Sequence, residues 1–272
     1  MKRFFLLLTL VLALPLLLPA QTVEVSQTHP WRGVKVAYFG DSVTDPRNTG
    51  SKRKYWHFLA DWLEQTPWVY AVSGRQWNDI PNQMNKLKRE HGEDVDAIII
   101  FCGTNDYNHA IPLGKWYEEK DTSVVVAAHK TPQAVKRTMR RPAMDKGTFR
   151  GRINIAMSQL KETYPTKQIV LLTPLHRAYF QSGEQNIQPS EAYQNGCGEY
   201  VDAYVEVIRE AGNVWAVPVI DLNALSGLYP LSAAHGRYFG NARTDLLHPS
   251  DEGHRRIALT LLYQLSTIPS SL

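Results

Sequence analysis

From residue 34 onward, short apolar runs alternate with longer stretches of helical period. Val34-Lys35-Val36-Ala37-Tyr38-Phe39 and the runs at 68–72, 95–102, 168–173 and 214–221 have strand length. Within the third run, Ile98-Ile99-Ile100-Phe101 is apolar at successive positions, so both of its faces must be covered. That is the pattern of a central strand in a parallel sheet. Between the runs, Tyr55, Leu59, Trp62 and Leu63 fall on one face of a first helix, and Ile257, Leu261 and Leu265 on one face of a last helix. Such alternation predicts an α/β fold with helices on both faces of a mostly parallel five-stranded sheet. Its functional site is expected at the carboxyl ends of the strands. The chain contains neither internal repeats nor low-complexity linkers.

The first twenty residues do not belong to this pattern. Lys2 and Arg3 precede an almost unbroken apolar stretch over 4–18, and Pro19 and Ala20 lead into a polar continuation. This reads as a signal peptide over residues 1–20, which implies a secreted or periplasmic protein. The stretch is short for a bilayer span and is interrupted by Pro15, and no later run could cross a membrane. Residues 21–272 are long enough to bury a sizeable core and read as a single domain. Losing Lys2 and Arg3 takes the formal net charge from +4 to +2, too little for an electrostatic nucleic-acid binder. Cys102 ends an apolar run and Cys197 sits in Asn195-Gly196-Cys197-Gly198, which favours two free thiols over one bridge.

The informative residues sit at the predicted strand ends. Gly40-Asp41-Ser42-Val43-Thr44-Asp45 follows the first strand, Ser73-Gly74 the second, and Gly103-Thr104-Asn105-Asp106 the third. Asp245-Leu246-Leu247-His248-Pro249 precedes the last helix. Each block alone has a plain structural explanation. Asp41 could cap a tight turn, Asn105 could bond its own backbone, and Asp245 could cap the segment leading to the last helix. Ser250 or Asp251 is placed to cap that helix, which leaves His248 on the preceding loop, while His254 suits a structural role.

Taken together, in this order and across nearly the whole chain after residue 20, the four blocks resemble the SGNH hydrolases, also called the GDSL esterase/lipase superfamily. The resemblance implies a three-layer α/β/α sandwich of flavodoxin-like type. It also implies Ser42 as nucleophile, His248 as general base, and Asp245 as the carboxylate that orients the imidazole. Ser42, Gly74 and Asn105 match the oxyanion donors. The residue types suit these roles: a serine hydroxyl needs a base to take its proton, and an imidazole works best when a carboxylate fixes its tautomer. Thr44 stands where a Gly-x-Ser-x-Gly elbow would need its second glycine, so the α/β-hydrolase fold is not expected. The histidines are scattered, with no His-x-x-x-His or Cys-x-x-Cys pair, and neither a metal nor another cofactor is expected.

The substrate is less legible. Residues 107–148 read as a long insertion beside the Asn105 block, and long loops at strand ends usually shape a pocket. Trp77, Tyr107 and His176 are candidate substrate contacts by their positions near strand ends. Among the activities of the resembled family, a chain without an obvious apolar lipid-binding loop fits a carbohydrate esterase that removes acetyl or similar groups. Its partner would be a small acyl ester or an acylated glycan. A lipase, a phospholipase or an acyltransferase would use the same triad, and a non-catalytic glycan-binding module would have no need to keep all three triad residues. Residues 130–152 carry eight basic side chains against Asp145 alone, a local balance of +7 that leaves −5 for the rest of residues 21–272. Its bland reading is a solvated loop and helix face. Its sharper reading is a cationic border of the cleft that attracts an acidic glycan.

Overall fold

The computed structural model describes residues 26–128 and 130–271, so the leader expected over 1–20 lies outside the described residues. The chain runs β1 (Lys35–Gly40), α1 (Tyr55–Leu63), β2 (Thr66–Val69), α2 (Ile80–His91), β3 (Ala97–Phe101) and α3 (Thr104–Asn108). It continues through β4 (Tyr117–Val126), β5 (Gln133–Pro142), α4 (Phe149–Thr163), β6 (Gln168–Leu172), β7 (Phe180–Gln181) and β8 (Ile187–Gln188). The last elements are α5 (Val201–Trp215), β9 (Val219–Ile220), α6 (Leu222–Leu225), β10 (Phe239–Asn241), β11 (Asp245–Pro249) and α7 (Asp251–Leu265). Among the described residues, no helix is long and apolar enough to cross a membrane.

The central sheet has the order β2-β1-β3-β6-β9, and every pairing in it is parallel. Alternation along β3 divides the core. Ile98 and Ile100 face Leu87, Met157 and Ile208 of α2, α4 and α5, whereas Ile99 and Phe101 face Leu59 and Leu261 of α1 and α7. All three isoleucines are fully buried, so truncating any one to alanine should cost about 2–5 kcal/mol. Gly40 pairs with Phe101, Phe101 with Leu172, and Leu172 with Ile220, so four strands end level. The loops that follow them therefore start along one edge. Gly40 has φ +151, and a Cβ there would lie 2.2 Å from the Phe101 carbonyl oxygen. Only glycine lets the chain leave β1 this close to β3.

Three expectations need correction. The run at 214–221 contributes only Val219–Ile220 to the sheet, because Val214 and Trp215 complete α5. Trp215 packs against the core and its Nε1 donates to Asn154 Oδ1 at 3.0 Å, and Ala216, at φ +51, then ends the helix. The insertion at 107–148 is not simply a loop. After α3 it forms a ten-residue antiparallel pair of strands, β4 and β5, held to each other and mostly exposed. Asp245 and His248 stand on a strand rather than a loop, since β11 belongs to a small antiparallel sheet of order β10-β11-β7-β8. Other local readings hold. Ser250 Oγ caps α7 by accepting from Gly253 N–H at 3.3 Å, His254 is fully buried, and Cys102 and Cys197 are both free.

Candidate active site

Ser42 lies just beyond β1 in a turn closed by Thr44 and Asp45 N–H groups donating to the Asp41 carbonyl at 3.1 and 2.9 Å. Asp41 also accepts the Val43 N–H on Oδ1 at 3.1 Å, so the capping explanation of Asp41 is correct as far as it goes. The small sheet brings β11 over this turn. His248 Nε2 lies 2.9 Å from Ser42 Oγ, and His248 Nδ1 lies 3.0 and 3.1 Å from the two Asp245 carboxylate oxygens. Asp245 Oδ1 also accepts the backbone N–H of His248 at 2.9 Å and of Leu247 at 3.2 Å. That clasp fixes the carboxylate against the strand that carries the imidazole. Phe180 of β7 meets the His248 ring edge to face at 4.9 Å. An imidazole bonded through Nδ1 to a carboxylate presents its Nε2 lone pair to the serine hydroxyl, the arrangement that removes a proton from it.

Ser42, Gly74 and Asn105 line one cleft of about 400 Å³ together with Asp245 and His248. Gly74 adopts φ +78, a left-handed conformation suited to glycine. Asn105 is held at both ends of the residue. Its Nδ2 donates to the Arg75 carbonyl at 3.0 Å, which leaves its second amide hydrogen, and its own carbonyl accepts from Gln76 Nε2 at 3.1 Å.

Buried charged groups tie these loops together. Asp45 accepts from Ser73 N–H and Oγ at 2.7 and 2.9 Å, joining the Ser42 turn to the residue before Gly74. Burial works to raise the Asp45 carboxyl, but its bonds to Arg47 and Ser73 outweigh that and hold it below the usual range. Asp106, fully buried, receives Arg152 Nη1 on Oδ1 at 2.9 Å and the Trp77 N–H on Oδ2 at 3.1 Å. Burial lifts it to about 6 even against the Arg152 cation. Arg177, also buried, donates to the Thr104 carbonyl and hydroxyl and to Gln188 Oε1, so one guanidinium braces the residue before Asn105 and a wall of the cleft. Burial pulls it down to about 10. Burial likewise pushes the Asp41 carboxyl up to about 7, the largest opposing influence being its bond to Val43 N–H.

The three candidate substrate contacts do not reach the cleft. Trp77 is fully buried, with Nε1 donating to the Cys102 carbonyl at 3.1 Å, and Tyr107 is buried with its hydroxyl on the Tyr193 carbonyl at 2.7 Å. Both are packing residues. His176 is bonded through Nδ1 to Glu191 at 2.7 Å and stands against Tyr229, outside the cleft lining. Its walls come instead from Asn48, Thr49 and Gly50 and from Phe180, Ser182, Asn186 and Gln188. Sequence reasoning passed over both groups. The one available signal was Ser182-Gly183 between short alternating runs, a hairpin turn signature. The basic segment is corrected as well: none of residues 130–152 lines the cleft. Arg150 pairs with Glu210 and Arg152 with Asp106, so two of its cations are neutralised within the fold. Among the described residues, no cluster of three or more His, Cys, Asp or Glu could hold a metal ion.

A serine just beyond a strand of a parallel sheet, in line with an imidazole and a carboxylate carried over it by a small antiparallel sheet, is a hydrolase-type arrangement. The chain belongs to the GDSL-like lipase/acylhydrolase family, whose model matches residues 38–256. Hydrolysis of esters is the chemistry of that class. No curated protein matches. Among solved structures, a protein from Lactobacillus plantarum is similar at 24% identity over 87% of this chain and 98% of its own, with a TM-score of 0.64. A possible lipase from Chitinophaga pinensis is 20% identical over 85% and 97% of the two chains, with a TM-score of 0.61. A catalytic mutant of Axe2, an acetylxylan esterase from Geobacillus stearothermophilus, is 18% identical over 86% and 94%, with a TM-score of 0.50. At these identities the likeness is one of fold.

Proposed function

We propose that this chain is an exported serine esterase that removes short acyl groups, acetyl foremost, from uncharged carbohydrate. The observation that carries the proposal is the hydrogen-bond chain Asp245–His248–Ser42 opening on a cleft lined by uncharged polar groups. Ser42 Oγ attacks the ester carbonyl while His248 Nε2 takes its proton, and Asp245 holds the tautomer and stabilises the imidazolium. The carbonyl oxygen, now an oxyanion, receives the Ser42 and Gly74 N–H groups and the free Asn105 amide hydrogen. Collapse expels the alcohol, which takes the proton from His248 and leaves an acyl-serine. Water, giving a proton to His248, then attacks the acyl-serine, and as the bond to Ser42 Oγ breaks that oxygen takes the proton back from His248 and the acid is released.

The walls support this substrate class. Asn48, Thr49, Ser73, Ser182, Asn186 and Gln188 offer donors and acceptors suited to sugar hydroxyls, and Phe180 and Leu247 are the large apolar side chains in the lining. Two such groups accommodate an acetyl but give a long acyl chain little to bury against, which disfavours a lipase. The acetylxylan esterase of similar fold is consistent with that choice. Export rests on the leader pattern over residues 1–20.

The test compares wild type with Ser42→Ala on p-nitrophenyl acetate, p-nitrophenyl octanoate and an acetylated neutral oligosaccharide. Wild type should favour the short ester and release acetate from the oligosaccharide, and Ser42→Ala should lose on the order of a millionfold in kcat. Substantial activity remaining in Ser42→Ala would end the serine mechanism. Preference for octanoate would end the carbohydrate assignment while leaving the triad standing.

A further inference from the structure

The paired strands β4 and β5 form an arm whose outer half nothing in the described chain covers. Val124, Val125 and Val126 are all exposed, Val125 at 67%. Residues 122–138 include Lys130, Lys136 and Arg137 and no aspartate or glutamate. The acids of β4 sit at its base instead, where Glu118 stands opposite Arg141, Glu119 opposite Arg140, and Asp121 accepts the Thr138 hydroxyl at 2.8 Å. The base is thus locally balanced, while the tip is apolar and cationic without a counterion. A two-stranded ribbon exposed on both faces is marginal in water, and its open edges invite pairing. Such an arm calls for a covering surface that is itself apolar and anionic.

The same chain presents one. In the turn over 193–200 that leads into α5, Tyr193 is 64% and Tyr200 47% exposed. Glu199 and Asp202 flank these rings, and neither makes an ion pair among the described residues. We propose that the arm is an association surface for a second copy of this chain, its tip docking on the 193–200 turn and the start of α5 of that copy, reciprocally in a two-fold dimer. Alternation puts Val124, Val126 and Arg137 on one face of the ribbon and Val125 and Lys136 on the other. The docked face thus lays Val124 and Val126 on the tyrosine rings and brings Arg137 to Glu199 and Asp202, while Lys136 adds to the same positive field from the opposite face. Area supports reciprocity. Even the whole ten-residue ribbon, about 33 Å long and about 10 Å wide, would bury at most on the order of 650 Å² counting both partners, and its tip less. A single docked arm is therefore below a standard interface, whereas two arms exchanged about an axis double the contact area toward it. An anionic lipid surface would match the arm but leave the acidic tyrosine turn unaccounted for, so a second copy is the occupant that satisfies both surfaces.

The test is sedimentation velocity on the purified protein, in roughly 0.1 and 0.5 M NaCl, with unfolding curves as a control for fold. Wild type should be a dimer at micromolar concentration that weakens with salt. K136E/R137E should raise the dimer dissociation constant at least about tenfold, and adding E199K/D202K to that variant should restore much of the association. A wild type that stays monomeric at about 100 μM overturns the proposal, as does a dimer indifferent to both charge reversals. Co-sedimentation of a monomeric wild type with phosphatidylglycerol vesicles, lost in K136E/R137E, would also overturn it in favour of a lipid surface.

Discussion

Replacing Arg152 with methionine separates the structural charges of this protein from its exposed ones, because it keeps most of the side-chain length and removes only the cation beside Asp106. The Asp106 carboxyl is fully buried and its pKa stands at about 6, above the ordinary 3.8. The folded state therefore binds this proton more tightly than the unfolded chain. The carboxyl's contribution lowers stability as pH rises from about 4 through 6, and the loss is complete above that. Arg152 limits the loss. An opposite charge in direct contact lowers a carboxyl by about 1–3 pH units, so removing it should cost roughly 1.3–2.7 kcal/mol at pH 8, where Asp106 is ionised in the wild type, the upper figure being reached when the carboxyl takes up its proton instead. At pH 5 Asp106 is already mostly protonated, so the same substitution should cost only about 1 kcal/mol, for the lost bonds to Asp106 and to Gln76 Oε1. Urea unfolding of wild type and Arg152→Met at pH 5 and pH 8 measures both. Because Asp106 follows Asn105 and also holds Trp77 N–H, kcat should fall at pH 8 as well. A stability loss equal at the two pH values would refute the assignment of Arg152 as the counterion that keeps a buried carboxylate in place.

Two further outcomes follow from the site. Asn105→Ala should lower kcat about a hundred- to a thousandfold with little change in KM, since an oxyanion donor acts mainly in the transition state. A large KM effect at unchanged kcat would move Asn105 to substrate binding. Asp41→Asn keeps the oxygen that accepts Val43 N–H and removes a buried acid whose pKa is raised to about 7. The wild-type carboxyl costs stability as pH rises from about 4 to 7, so the variant should be more stable above pH 7, by at most about 4 kcal/mol, with the gain vanishing below pH 4. Thermal unfolding across pH 4–8 reads this directly, and a gain independent of pH would refute it.

The parts of the fold that were legible in the sequence are those in which one strand or helix must satisfy two faces or one. Ile98-Ile99-Ile100-Phe101 has no polar position, and only a strand between two helical layers can bury all four residues. Ser42 and Asn105 were legible because β1 and β3 end level and bring the blocks that follow them together, whereas Asp245 and His248 were legible from the short Asp-x-x-His block before the last helix and reach the site on β11 of the small antiparallel sheet. The cleft walls were not. Asn48 through Gly50 and Ser182 through Gln188 are ordinary turn and strand residues, and their place at the site depends on how the small antiparallel sheet folds across the strand ends. Trp77 and Tyr107 were misread for the converse reason. A large aromatic near a strand end is as readily drawn inward by Cys102 and Tyr193 carbonyls as outward to a ligand.

The basic segment shows where counting charges along a chain loses its meaning. Eight cations within 130–152 look like one field, yet the structure leaves Lys146 exposed in the turn before α4 and divides the other seven among three environments. Arg150 and Arg152 turn inward from α4 to Glu210 and Asp106, Arg140 and Arg141 stand opposite Glu119 and Glu118, and the uncompensated cations Lys130, Lys136 and Arg137 are carried outward on the arm. Exposed charges act over about a Debye length, near 8 Å in physiological salt, so cations held on a projecting ribbon act on whatever the ribbon touches. The cleft lining, by contrast, contains no lysine or arginine. Salt should therefore change association of the protein while leaving kcat/KM on a neutral acetyl ester nearly constant. A steep loss of activity on an acidic acetylated glycan, absent with a neutral one, would show that the arm reaches over the cleft after all.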